Sequence, residues 1–134
     1  MKRILCTVLG LALFATACAD PVAPPAPTPV SPTITEAFSD TLIQLGSNTH
    51  LFTVQQIGGL KVTLSDVSPA AEVTFGVGAQ SLVSCTLISQ RKYSAGETAQ
   101  LSGTVTSPGN YCIMVYDSGA LAEPVTYTVT VLHS

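Results

Sequence analysis

Between residues 33 and 134, apolar side chains return at every second position. Phe52 and Val54 form one such set, and Leu60, Val62 and Leu64 another; Val73, Phe75 and Val77, then Val125, Tyr127, Val129 and Val131, repeat the pattern. Polar residues, mostly threonine, fill the intervening positions, as expected of strands with one face buried. Gly58-Gly59, Ser68-Pro69, Ala95-Gly96, Pro108-Gly109 and Ser118-Gly119 supply turn chemistry between them. Tyr111–Asp117 departs from the alternation, being apolar on both faces, and reads as a central strand. Ser107-Pro108-Gly109-Asn110 just before it has the residues of a type II turn. No segment sustains a helical period with caps. The pattern predicts strands over 34–38, 41–45, 50–55, 59–66, 71–77, 84–89, 98–105, 111–117 and 125–132. Strands at this spacing without helices between them predict an all-β, antiparallel two-sheet sandwich.

The first 32 residues follow other rules. Met1-Lys2-Arg3 is a short positive segment, and Ile4–Phe14 is apolar except for Thr7 and Gly10. A helix of about a dozen residues spans roughly 18 Å, short of the roughly 30 Å of a hydrocarbon core. Residues 1–17 therefore read as a secretory signal peptide, not a membrane span. Ala15-Thr16-Ala17-Cys18 resembles the lipobox of bacterial lipoproteins, with Ala15 where that family usually carries leucine. The resemblance implies cleavage before Cys18 and a lipid on its sulfur, so that the membrane becomes a partner; plain cleavage after Ala17 is the alternative. Residues 18–32 then form an anchor and tether, with six prolines between Asp20 and Pro32. Proline-rich chain favours polyproline II at about 3.1 Å per residue, a stalk of roughly 40 Å. The protein is expected in the bacterial cell envelope, at the outer membrane or the cell surface.

Cysteine arithmetic agrees. Of four cysteines, Cys6 leaves with the signal peptide, and an odd thiol in an oxidising compartment needs an explanation. Lipidation of Cys18 gives one and leaves Cys85 and Cys112 to form a disulfide within the domain. Closing a loop of about 28 residues contributes roughly 3.5 kcal/mol in the chain-entropy description. Zinc held by these two cysteines lacks the close Cys/His spacing of such sites.

Charge excludes one class of partner. Removing the signal leaves Lys61, Arg91 and Lys92 against eight acids, a net charge of about −5, with no patch to neutralise phosphates. Nucleic acid is not an expected ligand. Nor do the motifs of catalysis appear: there is no Gly-x-Ser-x-Gly, His-Glu-x-x-His or Cys-x-x-Cys. His50 and His133 read as incidental or structural. Gly76-Val77-Gly78-Ala79 faintly echoes a dinucleotide loop, but no helix follows, and close backbone approach or a bulge is the better account. Glu36 and Asp40, the one close carboxylate pair, fall on either side of the turn expected near residue 39. No cofactor is implied. Asp40, Asp66 and Asp117 leave open a calcium-stabilised domain, though without a loop motif.

Gly46–Val54 with Gly59–Leu64, Gly109–Val115 and Val125–Val131 together resemble the bacterial pre-peptidase C-terminal domain family across most of residues 33–134. That resemblance implies a jelly-roll-like sandwich, usually an accessory beside an enzyme and not itself catalytic. The acidic clusters with which some relatives hold calcium have no counterpart here. Met114 and Tyr116 share a strand face with Cys112, opposite Tyr111, Ile113 and Val115, which are assigned to the core. Met114 and Tyr116 thus form the candidate binding face, unless a loop such as Gly119–Pro124 covers them. The expected function is a non-catalytic, envelope-anchored interaction module, monomeric, with a protein or polysaccharide partner. A small secreted hydrolase or an enzyme inhibitor is the alternative.

Overall fold

The computed structural model describes residues 23–26 and 33–134. The signal peptide, Cys18 and most of the tether lie outside the described residues; residues 23–26 are exposed and without regular structure. Eight strands follow: β1 (Ile34–Leu42), β2 (Ser47–Val54), β3 (Gly58–Ser68), β4 (Val73–Gln80), β5 (Cys85–Tyr93), β6 (Ala99–Val105), β7 (Gly109–Tyr116) and β8 (Val125–His133). They form two four-stranded antiparallel sheets, ordered β1-β8-β3-β6 and β2-β7-β4-β5. Every connection except the β4–β5 hairpin changes sheet, which is the winding of a jelly roll.

The alternation read from the sequence is the alternation of burial. Phe52, Val54, Val62, Leu64, Val73, Phe75, Val125, Tyr127, Val129 and Val131 meet in one core between the sheets. Side chains from the two inner faces interdigitate there, each fully buried aliphatic contributing about 1.5–3 kcal/mol. β7 has a strand on each side, with Ile113 and Val115 in the core and Cys112 inaccessible on the other face, where Met114 and Tyr116 are half-buried. It is the central strand expected from its composition.

Two local expectations fail. The turn placed near residue 39 does not form, and Ile34–Leu42 runs as one strand, paired with β8 along its whole length. Nine consecutive ladder partners outweigh the turn preference of Ser39-Asp40, whose Asp40 carboxylate instead accepts the Thr41 N–H at 2.7 Å. The chain reverses later, where Gly46 N–H bonds the Ile43 carbonyl. The type II turn at Pro108-Gly109 is also absent. Gly109 opens β7 opposite Val54, and the Ser107 carbonyl accepts the Tyr111 hydroxyl at 2.8 Å.

The disulfide forms between Cys85 and Cys112, and its position is unusual for a sheet. β4 lies between β5 and β7, and strands two places apart are normally about 9.6 Å apart. The two Cα atoms are only 5.8 Å apart. Gly78 explains the approach: it pairs with Cys112 on one side and Leu87 on the other. A Cβ there would overlap the Thr86 carbonyl oxygen and come within 2.8 Å of Leu87 Cα. β5 therefore leans over the outer face of β4, with a register shift at Val77/Gly78 to accommodate it. A Cβ on Gly76 would likewise meet the Ser89 carbonyl oxygen at 2.8 Å. The glycine pair thus serves backbone approach beside a bulge, the structural reading of that motif.

Gly78→Ala is expected to destabilise the domain by more than about 3 kcal/mol, because backbone and not a side-chain tip must move. Gly59→Ala, with nothing within 4 Å of the added Cβ, is expected to change stability by less than about 1 kcal/mol. Denaturant unfolding of both variants measures the contrast. Equal stabilities would remove the role assigned to Gly78.

Candidate functional site

Met114 and Tyr116 do share the outer face of the β2-β7-β4-β5 sheet with Cys112, and both are half-buried. The register places Met114 between Thr49 and Gly76, Tyr116 between Ser47 and Thr74, and Cys112 between Leu51 and Gly78. Gly76 and Gly78 contribute no side chain, and the backbone of β5 lies over them beside Met114 and the disulfide. Tyr116 reaches across β4, and its hydroxyl donates to Gln90 Oε1 on β5 at 2.8 Å. Thr74, which the register sets beside Tyr116, is correspondingly only 6% exposed.

The Gly119–Pro124 loop goes elsewhere. Leu121 enters the core, and the carbonyls of Leu121 and Ala122 accept the Gln44 side-chain amide. Sequence reasoning missed Leu51, which is 51% exposed on edge strand β2, cross-strand from Cys112. A groove of about 290 Å³ runs from Thr49 and Leu51 to the Gln80–Cys85 hairpin. The β5 side of the face carries Lys92, set in register beside Thr74 and ion-paired to Glu72 at 2.7 Å; around Leu51 and Met114 the face offers an aliphatic, a thioether and hydroxyls. Such a surface binds by packing and neutral hydrogen bonds.

A second recess lies where the two sheets part between β5 and β6. It encloses about 250 Å³ and is lined by Leu60, Val62, Val77, Ile88, Leu101 and Tyr111, among others. Arg91 donates across the two edges to the Gln100 carbonyl at 3.1 Å.

The titratable groups have structural employment. The Asp117 carboxylate accepts the backbone N–H groups of Leu45, Gly119, Ala120 and Leu121 at 2.8–3.2 Å. These bonds, that from Leu45 first, hold its carboxyl below the ordinary value. Asp117 fastens the β7–β8 loop to the β1–β2 turn. Asp40 and Asp66 line one shallow depression, Asp66 accepting the Ser65 hydroxyl at 3.0 Å. Among the described residues no three His, Cys, Asp or Glu side chains converge on a metal position. Glu36, far from pairing with Asp40, accepts Nε2 of the buried His133 at 2.9 Å.

His50 stacks on Phe38 with centroids 5.0 Å apart, and its Nε2 lies 2.7 Å from the Tyr127 hydroxyl. Burial pushes the Tyr127 phenol up to about 12, so it is protonated at neutral pH. Burial also lowers the His50 imidazole, against a smaller opposing effect of Asp40. The neutral ring is the form the fold favours, with its Nε2 in a hydrogen bond with the tyrosine hydroxyl. Above about pH 6.5, the ordinary histidine value, this contribution to stability is complete; as pH falls through the lowered folded value it is lost, because the unfolded chain takes up the proton first. Thermal midpoints between pH 7.5 and 5 are expected to fall for the native chain, with His50→Gln falling less. Identical profiles for the two proteins would refute the assignment.

No family model and no curated protein matches this sequence. Solved structures do. The chain is similar to the crystal structure of the Yersinia pseudotuberculosis-derived mitogen, at 12% identity and a TM-score of 0.54, over 75% of this chain and 86% of that one. It is similar also to Aeromonas hydrophila PliG, a periplasmic inhibitor of g-type lysozyme, at 17% identity and a TM-score of 0.50, over 74% and 86%. At these identities the likeness establishes a shared β fold.

Proposed function

We propose that this protein is a non-catalytic interaction module, lipid-anchored through Cys18 in the bacterial cell envelope, that contacts a partner through the outer face of its β2-β7-β4-β5 sheet. The observation that carries the contact is the neighbourhood of Leu51, Met114 and Tyr116 on a face stapled by Cys85–Cys112. An exposed leucine on the otherwise threonine-rich outer face of β2 needs a reason, and a rigid support lowers the ordering cost of binding. The disulfide suits an oxidising compartment, in keeping with the signal-peptide pattern of residues 1–17. The proline-rich tether suits a domain that must reach its partner.

A folded protein is the better match to this face than a polysaccharide. The chain has no tryptophan on which a sugar ring could stack, and an aliphatic with a thioether is the material of protein contacts. The mitogen and the lysozyme inhibitor are, by their names, recognition proteins. They supply precedent for recognition on this architecture, and enzyme inhibition is one form that recognition could take.

Two measurements test the proposal. Intact mass of the chain extracted from membranes is expected to show an N-terminus at Cys18 carrying acyl chains; an unmodified N-terminus in the soluble fraction would overturn the anchoring. Leu51→Lys, on an exposed edge strand, is expected to change stability by less than about 0.5 kcal/mol and to weaken capture of the partner by at least about tenfold. Undiminished capture by the folded variant would exclude this face.

A further inference from the structure

The two ends of the sandwich differ in chemistry. One end gathers the start of β1, the end of β8 and the β2–β3, β4–β5 and β6–β7 connections. Those three connections, residues 55–57, 81–84 and 106–108, contain no ionisable side chain. The opposite end carries Glu72, Glu97, Asp117 and Glu123 in its loops. In a domain with so many more acids than bases, an end whose loops hold none is a marked asymmetry.

This end, which also holds the Glu36–His133 pair at the start of β1 and the end of β8, projects aliphatic side chains from its uncharged loops. Leu82 and Val83 form the tip of the β4–β5 hairpin and are fully exposed, and Ile57, in the β2–β3 connection at the same end, is 63% exposed. Hairpin tips are normally polar. This one is held in shape: Ser81 N–H bonds the Ser84 carbonyl at 2.8 Å, and the two serine hydroxyls lie 2.7 Å apart. Cys85 follows at once and ties the hairpin to β7. The opposite end has exposed aliphatics too, Ile43 and Leu45, but the Leu45 N–H is bound by the Asp117 carboxylate at 2.8 Å. An anion stands beside them.

The chain joins the domain at the end with the uncharged loops, at Thr33 and Ile34, fifteen residues after Cys18. The geometry points to a lipid bilayer as what this end rests on, with Leu82, Val83 and Ile57 entering the interfacial layer. Three features suit that surface: aliphatic tips that reach below the headgroups, loops without carboxylates to be repelled by anionic lipid, and Lys61 exposed near the start of β3. The domain then stands on the membrane with its acidic end outward, and the Leu51–Met114–Tyr116 face turns sideways. The inference takes from the anchored reading only the means of bringing the end to the bilayer; the contact itself belongs to the folded domain.

The test uses the chain from Ala19 to Ser134, which keeps every strand and lacks the acylated cysteine, so that loss of anchoring and loss of contact are read separately. Co-sedimentation with phosphatidylethanolamine/phosphatidylglycerol vesicles is expected to show partitioning that Leu82→Ser/Val83→Ser reduces by at least about tenfold. Ile43→Ser/Leu45→Ser at the acidic end is expected to leave it within about twofold. The chain has no tryptophan, so Leu82→Trp is a clean reporter whose emission should shift to the blue on adding vesicles. An unshifted emission, no sedimentation with vesicles, or equal losses for the two serine pairs would overturn the inference. Vesicle binding by this chain together with an unmodified Cys18 in the native protein would leave the contact standing and remove the anchor.

Discussion

The passage of β5 over the outer face of β4 is the constraint on which the rest of this sandwich depends. It requires a strand with no side chain at Gly78 or at Gly76. Given that, Cys85 can approach Cys112 across an intervening strand and be locked there. The same lean carries the first half of β5 away from β6, so the sheets part on that side and open the recess beside Ile88. Toward its other end β5 returns to the sandwich, where Arg91 reaches the edge of β6 and Tyr93 is buried in the core. Glycine pair, bulge, disulfide, hairpin and recess are consequences of one close approach.

How much of this could be read from the sequence follows from what each feature depends on. Burial alternation is local and periodic, so the core residues of β3, β4 and β8 were legible, as was the interior place of β7 in its sheet. The disulfide followed from cysteine arithmetic, and the glycine pair from the absence of a following helix. The break expected in β1 failed because Ser39-Asp40 is a turn only in isolation. The ladder to β8 is a contact across ninety residues that no local rule sees. The type II turn at Pro108-Gly109 failed likewise, since pairing with Val54 decides the backbone of Gly109.

The candidate face divides along the same line. The strand face of Met114 and Tyr116 was legible because parity with Cys112 settles the side of the strand. Leu51 was passed over: an apolar residue between His50 and Phe52 reads as core until the register shows it beside Cys112. The Glu36–His133 and His50–Tyr127 partners lie 97 and 77 residues apart. Only the fold could have joined them, and nothing in their spacing hinted at it.

The margin formed by β1 and β2 is closed by different means from the margin formed by β5 and β6. Two sheets that twist apart leave a widening gap at their edges, and small aliphatics cannot fill it. On the β1–β2 side rings span it: Phe38 on His50, His50 against Tyr127, and His133 against Phe52 at 5.4 Å. An aromatic or imidazole ring is long enough to bridge the sheets, and its polar tip must then find a partner. Tyr127 finds His50 and His133 finds Glu36; among the described residues no buried side-chain nitrogen or oxygen lacks a hydrogen bond. Each polar group so satisfied fixes a register as well as an energy. The β2–β7 half of the outer sheet is therefore backed by a closed margin on one side and the disulfide on the other. That is the half that carries Leu51 and Met114, and a stiff support of this kind lowers the ordering cost of the contact proposed for it.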